Sequence, residues 1–471
     1  MLTNTRPARN PLAQDFHFFS LLRFAAPTIG NMLIFSLYTV VDGIFVARFT
    51  GSDSLAAVNL VWPAVNLIIG AAIMFAAGGS AVVGKTLGEK KPRLASERFT
   101  MLVVTAGLIG AVLGGLGLLF IDPILHFLGT TSHLWADCHR YLFPMLLFAP
   151  ITTVDLIFDY FFVTSGRPML GLYLAVLSGL INIGLDYIFL AHWGFGVSGA
   201  AWATVIAYTV SALIGLWYFC RQRSLLCLRR FRFQWSVILQ SMKNGSAEMV
   251  TQLAVGVTTF LFNLLTLRYA GENGIAAITI ILYAEMLLTA FFLGFTSGIA
   301  PIFSYHYGAR NQAMIQRLLR LSLTAIAIAS LLAFGTAQFF TEPLVEIFVP
   351  AGSAVEVLAA SGLQLFSLSF LACGFNIFTQ GFFTALSQGQ LSALGSFARG
   401  LVGISFFLIT LPPLLGISGI WLAVPAADAS VLLLSFYLLR SYRAPTTATA
   451  SRQKSGTGTC LQKTNEYLAD K

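Results

Sequence analysis

The sequence predicts an all-α membrane protein with twelve transmembrane helices, arranged as two parallel six-helix repeats around a central cavity. Three observations support this fold class. Of the 471 residues, 57% are hydrophobic and only 10% are charged, whereas soluble domains carry about 25% charged residues. Apolar segments long enough to cross a bilayer recur along the chain. The two halves of the chain also match each other at a fixed spacing, which indicates an internal duplication.

Twelve apolar segments of about twenty residues or more mark the predicted helices. They cover residues 20–46, 55–83, 98–121, 139–163, 169–191, 198–219, 237–267, 275–305, 318–340, 356–386, 391–414 and 419–440. The predicted organisation is a cytoplasmic N-terminal tail (1–19), an N-terminal six-helix lobe (20–220), a basic cytoplasmic linker (221–236), a C-terminal six-helix lobe (237–442) and a disordered cytoplasmic tail (443–471). The last segment is polar and rich in Thr and Ser, as is typical of disorder.

The net charge of +9 is concentrated in alternate loops. Basic residues cluster in the loops after the second, fourth, sixth, eighth and twelfth segments, and the intervening loops are neutral or acidic. Arg48 and Arg268 are exceptions, and acids follow each of them within a few residues. This positive-inside pattern predicts a multi-pass membrane protein with both termini in the cytoplasm. We expect it in a bacterial plasma (inner) membrane. The charge pattern also argues against nucleic acid as a partner, because the positive charge does not form one surface.

Two further classes of feature are not predicted. The first nineteen residues hold Arg6, Arg9 and Asp15, with no apolar core followed by a cleavage site, so we expect no cleavable signal. The five cysteines are scattered without a CxxC spacing, which predicts neither a disulfide framework nor a zinc site. We expect no cofactor and a monomeric protein in the lipid bilayer.

The internal repeat has a spacing of 220 residues. The segment from Arg48 to Gly51 matches the segment from Arg268 to Gly271, and Gly196-Val-Ser-Gly199 matches Gly416-Ile-Ser-Gly419. Both halves begin on the same side, so they are parallel repeats related by an axis along the membrane normal. Such a duplication is typical of alternating-access transporters, whose cavity opens to one side and then to the other. Duplication for stability alone is the alternative.

One layer of polar residues stands out within the apolar helices of the first half. Asn182 and Asp186 are four residues apart and share one helix face. Asp186 precedes the turn near Phe195 by nine residues and Thr204 follows it by nine, which places both at roughly 13 Å from the turn. Asp42 precedes the turn at Gly51 by nine residues as well, and therefore lies at the same depth.

This set of two carboxylates, one amide and one hydroxyl suits a proton or a hard cation such as sodium, since both bind oxygen atoms. A buried acid in a membrane helix is costly and indicates a functional site. The alternative is an acid that caps a neighbouring helix or pairs with a buried arginine. The repeat favours function, because the equivalent positions of the second half are apolar: Phe262, Val402, Phe406 and Val424.

Other acids are candidates for a substrate cavity that attracts cations. Asp155 and Asp159 are four apart on the fourth helix, although Asp159 lies near its cytoplasmic end. Glu248 and Glu285 lie on the seventh and eighth helices. Across the last two helices, Arg399 and Asp428 are predicted to form a structural pair.

These motifs together resemble the multidrug and toxic compound extrusion (MATE) family over about residues 15–440. The resemblance depends on the following segments: Pro27 with Asp42-Gly-Ile-Phe-Val, Ala56-Ala-Val-Asn59 with Pro63, Gly78-Gly-Ser with Leu87-Gly88, Ala276-Ala277, and Gly298-Ile-Ala-Pro301 through Gly308-Ala-Arg-Asn311. The DinF-like branch with its MepA-type exporters is the most similar. The resemblance implies that Asp42, Asn182, Asp186 and Thr204 bind the coupling ion and that the first helix bends at Pro27.

The expected function is a secondary antiporter that exports amphipathic, cationic compounds as proton or sodium enters through the acid site of the N-terminal lobe. Two alternatives remain. A flippase for a lipid-linked saccharide needs cationic groups in the cavity, and only Arg140 and Arg399 are candidates. An intramembrane enzyme using the acid pair is disfavoured by the absence of an HExxH or nucleophile motif. The residues alone do not separate proton from sodium coupling.

Overall fold

The computed structural model describes residues 10–221, 225–346, 349–350 and 352–442, and this part of the chain is helical without any strand. Eleven of its helices are long and apolar enough to cross a membrane, and one bent helix pair supplies a twelfth span. The all-α fold class with twelve spans is therefore confirmed. The first-half spans are α1 (Phe18–Thr50), α2 (Ser52–Gly88), α3 (Pro92–Leu119), α4 (Trp135–Leu147 with Ala149–Thr164), α5 (Pro168–His192) and α6 (Val197–Cys220).

The second half repeats this order of six spans. They are α7 (Trp235–Gly271), α8 (Asn273–Gly308), α9 (Gln312–Phe339), α10 (Ala354–Ala385), α11 (Gly389–Leu415) and α12 (Ile417–Ser441). Each half also has one short helix between its third and fourth spans, Ile121–Phe127 in the first half and Thr341–Glu346 in the second. Several helices begin before the apolar segment predicted for them. Helix α3, for example, begins at Pro92 and not at residue 98, because proline suits the first turn of a helix whether or not that turn is in hydrocarbon.

Two spans of the first half depart from a straight α-helix. The limbs of α4 are bent by 60° at Phe148, and prolines stand on both sides of the bend, at Pro144 and Pro150. Each proline removes a backbone donor, which explains why the helix breaks here. In α5 the α-helix ends at Asp186 and continues as a π-helix over Tyr187–His192. A π segment of this kind is rare and often marks a functional position.

The duplication is visible in the backbone of the turns. Gly51 before α2 and Gly271 before α8 have φ values of 93° and 63°, and Gly196 before α6 and Gly416 before α12 both have 61°. These angles lie in the left-handed region that glycine adopts without steric cost. The members of each pair are 220 residues apart. The repeat found in the sequence therefore reflects the same turn geometry in both halves.

The two halves pack closely where α2 and α8 end, on the side of the bundle with the basic loops, here called the basic side. A Cβ atom on Gly88 would lie 1.9 Å from the carbonyl oxygen of Tyr305, and one on Gly308 would lie 2.0 Å from that of Lys85. Neither glycine can carry a side chain unless the helices separate. The last turn of each helix thus uses a glycine to approach the backbone of the other.

A second close crossing joins α2 to α7. A Cβ atom on Gly78 would lie 2.0 Å from the carbonyl oxygen of Ser241, and one on Gly245 would lie 1.9 Å from that of Met74. Small residues permit such close helix approach within membranes. At these two crossings the two halves therefore meet through backbone atoms.

The described part of the predicted N-terminal tail packs against the bundle. A short 3₁₀ helix, Pro11–Ala13, precedes α1, and the side chains of Leu12 and Phe16 are fully buried. The Nη2 atom of Arg317, near the start of α9, lies 2.6 Å from the Nδ1 atom of His17. The segment before the first span therefore contacts the second half. Residues 1–9 lie outside the described residues, as does the predicted disordered tail, 443–471.

The described part of the predicted linker also packs against the first half. Leu226 and Cys227 are buried. The backbone N–H of Cys227 donates to the hydroxyl of Ser96 at 3.4 Å, and the N–H of Arg229 donates to that of Thr100 at 2.9 Å. The described part of this basic segment is thus fixed to α3.

Candidate functional site

The four residues predicted for the ion site come together between α1, α5 and α6. The carboxyl groups of Asp42 and Asp186 approach to hydrogen-bonding distance of each other. Asn182, one turn before Asp186, donates from Nδ2 to the hydroxyl of Thr204 at 3.3 Å. This hydroxyl donates in turn to the carbonyl oxygen of Ala200 at 3.0 Å. The equal depth inferred by counting along the helices therefore corresponds to side-chain proximity.

Several oxygen atoms of this set are buried without a donor. Among the described residues, no N–H or O–H group reaches Oδ1 of Asp42, Oδ1 of Asn182 or either carboxyl oxygen of Asp186. A helix cap or an arginine pair would supply a donor to Asp186, so neither alternative describes this acid. Buried acceptors without donors are costly, and two facing carboxylates repel each other when both are ionised. A bound proton or hard cation would remove both costs.

A tyrosine pair lies one turn further into the membrane. The hydroxyl oxygens of Tyr38 and Tyr208 are 3.3 Å apart, and these residues lie four positions from Asp42 and Thr204 on the same helix faces. Tyr141 is buried as well, within electrostatic range of Asp42. None of these tyrosines was predicted as a site residue, although the four-residue spacing to Asp42 and Thr204 is a signal for Tyr38 and Tyr208.

A second acid pair continues the polar interior of the first half. Asp155 and Asp159 project from the second limb of α4, and the carboxyl group of Asp155 lies close to Ser211 on α6. Both acids lie within electrostatic range of Tyr38. Asp155 is buried and Asp159 is half-buried. The structure therefore connects this pair with the acid layer through the tyrosine pair.

The other two candidate acids are separate from this cluster. Glu248 on α7 lies within electrostatic range of Tyr160 on α4, at the boundary between the halves. Glu285 on α8 instead lines a cavity of the second half that Arg399 also lines. The four acids proposed for one substrate cavity thus occupy three different environments.

Arg399 and Asp428 form the predicted pair. Nε of Arg399 donates to Oδ1 of Asp428, and Nη2 donates to Oδ2 at 3.3 Å. Asn376 donates to the same carboxyl group at 3.2 Å and to the backbone carbonyl of Asp428 at 2.9 Å. Ser435 donates to Asn376 at 2.8 Å. This network satisfies the buried charges, as a buried ion pair requires.

No group of three or more His, Cys, Asp or Glu side chains in the described residues is arranged to hold a metal ion. The oxygen set around Asp186 is of another kind, with two carboxylates, one amide and one hydroxyl. Such a set suits a proton or a monovalent hard cation that crosses the membrane as cargo. Sodium at this set stays a prediction.

Taken together, twelve spans in two related halves and an intramembrane acid set confined to one half define a membrane transport protein. The family model described as MatE matches the chain twice, over residues 27–188 and 248–409. The chain belongs to the MatE family, whose members are transporters rather than enzymes. The two matches fall in the two halves, in agreement with the internal repeat.

Curated relatives are similar along nearly their whole length. The chain is 24% identical to Multidrug export protein MepA of Staphylococcus saprophyticus over 432 residues, which cover 90% of this chain and 94% of the relative. It is 23% identical to the protein of the same name from Staphylococcus aureus strain NCTC 8325, with the same coverage. The resemblance stated from the motifs is thereby confirmed.

Solved structures share the fold. An outward-facing multidrug resistance MATE family transporter of the MOP superfamily superposes with a TM-score of 0.87 at 22% identity, covering 92% of this chain and 98% of that one. A MOP superfamily transporter from Pyrococcus furiosus, described as having a binding pocket of reverse polarity, superposes with a TM-score of 0.86 at 22% identity and the same coverage. At this identity the likeness establishes the architecture alone.

Proposed function

We propose that this chain is a secondary antiporter of a bacterial plasma membrane that exports amphipathic, cationic compounds as proton or sodium enters through the acid layer of the first half. The basic side faces the cytoplasm in this proposal, with both termini. The observation that carries it is the facing pair Asp42 and Asp186, whose buried oxygens lack donors. Export of drugs by the MepA relatives supports the substrate class.

The ion would act by changing the charge of the acid layer. Without a bound ion, the two carboxylates repel each other and attract a cationic substrate to the first half. Binding of a proton or sodium removes this attraction, so the site favours either the ion or the substrate. The acid pair at Asp155 and Asp159 adds negative charge to the same interior. Exchange of one cation for the other follows from this competition.

The flippase alternative gains no support from the placement of the basic residues. Arg140 is exposed near the start of α4, and Arg399 is bound to Asp428. An anionic saccharide carrier would need several uncompensated cations in the cavity, because charged phosphates must be paired when they leave water. The first half instead presents uncompensated acids.

Ethidium transport in inverted membrane vesicles that contain the full chain tests the proposed function. Acidifying or sodium-loading the vesicle lumen is expected to drive ethidium uptake, because the extracellular side of the protein faces the lumen and the ion would leave through the acid layer. A pH gradient without sodium and a sodium gradient without a pH difference are imposed separately, and the effective one identifies the ion. Uptake that is indifferent to both gradients would refute coupled antiport.

Bending of α1 at Pro27 during transport is a separate part of the proposal. Proline removes one backbone hydrogen bond inside the helix and crowds the preceding turn, so α1 has a weak point between its first turns and Asp42. Pro27→Ala restores the missing donor. We expect several-fold slower ethidium transport in this variant with unchanged ion binding, measured as the concentration of the coupling ion that gives half-maximal rate. A variant with wild-type rates would exclude Pro27 as a hinge.

A further inference from the structure

An open groove of about 350 Å³ lies on the basic side, where the linker passes the first turns of α3. It is called here the basic groove, and its lining residues are Arg93, Glu97, Leu228, Arg229 and Arg230. Three arginines face a single carboxylate, so two positive charges are left over. Arg93 contacts Glu97 at 3.5 Å, whereas Arg229 and Arg230 form no ion pair with a described residue. The groove therefore presents guanidinium groups that an anion can pair.

Hydrogen bonds fix the linker side of the basic groove before any ligand arrives. The backbone N–H of Arg229 donates to the hydroxyl of Thr100 on α3 at 2.9 Å. Nε of the same arginine donates to the Sγ atom of the buried Cys227 at 3.1 Å. Both Nη atoms remain without a partner among the described residues. A guanidinium that is already held loses less entropy on binding, and its planar fork matches the oxygens of a phosphate group.

The face of α3 that carries Arg93 and Glu97 continues toward the membrane interior as an apolar stripe. Val104, Leu108 and Val112 follow on this face, and their side chains are exposed. Glu97 and Val104 are seven residues apart, roughly 10 Å along the helix. This distance slightly exceeds the interfacial layer on one side of a bilayer, about 5–8 Å. An anion in the groove is thus at headgroup depth, and hydrocarbon attached to it reaches the apolar stripe.

Aromatic side chains mark the same depth on the linker. Phe233 precedes α7 and Trp235 begins it, and both rings are exposed and stacked at a centroid distance of 6.2 Å. Tryptophan is enriched where membrane helices leave the hydrocarbon. The basic groove therefore opens at the membrane surface. A soluble anion would use only the arginines of this region, whereas a phospholipid uses the arginines and the apolar stripe together.

We propose that the basic groove binds the headgroup of an acidic phospholipid from the leaflet on the basic side. The phosphate accepts hydrogen bonds from the guanidinium groups of Arg93, Arg229 and Arg230, and the acyl chains pack along the apolar stripe. Glu97 weakens binding, because its carboxylate repels the phosphate. The lipid fastens the linker, which connects the two halves, to α3. This site is separate from the acid layer, and its occupancy does not depend on the proposed antiport.

Lipid binding to the delipidated full chain in neutral detergent tests the site by native mass spectrometry. Phosphatidylglycerol and phosphatidylcholine with the same acyl chains are titrated separately, and glycerol phosphate serves as the soluble headgroup analogue. We expect a Kd for phosphatidylglycerol at least about tenfold lower than for phosphatidylcholine, because only the first lipid has the net negative charge that the groove lacks. Glycerol phosphate in about hundredfold excess should displace little of the bound lipid, since it has no chains for the apolar stripe.

Removing the arginines should remove this preference. In the triple variant Arg93→Gln, Arg229→Gln and Arg230→Gln we expect the Kd for phosphatidylglycerol to rise by about tenfold or more, because the charges that attract the acidic lipid are lost. The matched control changes to glutamine three exposed basic residues on the basic side that do not line the groove: Arg23, Arg320 and Arg440. Its Kd should stay within about twofold of the wild type, because the groove is unaltered.

Replacing Glu97 by glutamine should change the affinity in the opposite direction. The substitution removes the one acid of the basic groove and keeps nearly the same shape. We expect the Kd for phosphatidylglycerol to fall by about threefold or more, because the repulsion of the phosphate is lost. A gain of affinity cannot result from a poorly folded protein, so this variant complements the triple variant. Size-exclusion chromatography establishes that all of these proteins are folded.

Equal affinity for the two lipids would overturn the site, as would a Glu97→Gln protein that binds phosphatidylglycerol no more tightly than the wild type. Displacement of the lipid by an equal concentration of glycerol phosphate would assign the groove to a soluble anion instead. Equal weakening in the control triple variant would reduce the preference to the overall charge of the basic side. Failure of the proposed antiport leaves these binding results unchanged, and failure of the lipid site leaves ion-driven ethidium transport in place.

Discussion

Replacing Asp186 by asparagine is expected to reduce ethidium transport to the level of vesicles that lack the protein. Asparagine has nearly the shape of aspartate, so the packing between α5 and α1 is retained. It cannot change its charge when a proton or sodium arrives, and the repulsion with Asp42 that the ion would relieve is absent. Asp42→Asn should have the same effect, because either acid alone lacks the facing partner. Transport in vesicles under the effective ion gradient measures the loss.

Asp122→Asn is the matched control, since this acid is exposed in the short helix after α3. It should transport at the wild-type rate, with equal amounts of each protein in the membrane by immunoblot. An Asp186→Asn protein that is inserted normally and still transports ethidium under the gradient would contradict the assignment of the acid layer.

Thermal unfolding of the same variants reports on the ion without transport. A ligand that binds the folded state raises its stability in proportion to the logarithm of its concentration. If sodium binds the acid layer, replacing potassium by sodium at constant ionic strength should raise the Tm of the wild type and leave that of Asp186→Asn unchanged. If a proton binds there, lowering the pH should raise the Tm of the wild type relative to that of Asp186→Asn, and sodium should not produce this difference.

The depth of the acid layer was predictable in outline because the rise of an α-helix is constant. Nine residues from Gly51 to Asp42, and nine from Phe195 to both Asp186 and Thr204, indicate similar depths, although the π-helix over Tyr187–His192 departs from the α-helical rise after Asp186. One count began at Gly51, which has a φ of 93°, and the other at Phe195, which lies between Gly194 and Gly196 with φ values of 64° and 61°. For the side chains to meet, three helices must also be rotated correctly about their axes. The shared face of Asn182 and Asp186 indicated the rotation of only one of these helices.

The Tyr38–Tyr208 contact was not predictable in the same way. Tyrosine is compatible with a lipid interface, a core or a site, and 170 residues separate the two partners. The lining of the second-half cavity, which includes Phe262, Val424, Gln380 and Glu285, was not predictable either. The repeat identified Phe262 and Val424 as apolar substitutes, but Gln380 and Glu285 reach the cavity from α10 and α8 through lateral packing. Local periodicity does not specify which helices are neighbours.

The packing of the predicted tail and linker on the bundle was not predictable for another reason. Leu12 and Phe16 lie among polar residues, and Leu226 belongs to a four-residue apolar run that arginines follow. Neither pattern is long enough to predict a buried segment, and the burial depends on surfaces that exist only after the helices have packed. Pro11 packs on Gly166, at the end of α4, and the linker follows α3. Such contacts come from tertiary structure and have no counterpart in hydropathy.

Replacing Gly88 by alanine is expected to reduce ethidium transport by about tenfold or more. The added Cβ would lie 1.9 Å from the carbonyl oxygen of Tyr305, and a backbone atom cannot turn aside as a side chain can. The two helices must separate, and overpacking of this kind costs about 1–3 kcal/mol. The cost falls on the arrangement in which α2 and α8 meet at the basic side, so that arrangement is populated less and the transport cycle slows.

Gly308→Ala should have a similar effect, because its Cβ would meet the carbonyl oxygen of Lys85 at 2.0 Å in the same crossing. Gly115→Ala in α3 is the control, since nothing lies within 4 Å of its Cβ position and the substitution suits a helix. Sodium or proton binding measured by Tm should be retained in all three variants, because the acid layer is remote from the crossing. Wild-type transport by Gly88→Ala would show that this contact is not part of the cycle, whereas selective loss in the two contact glycines would establish that the halves must close there.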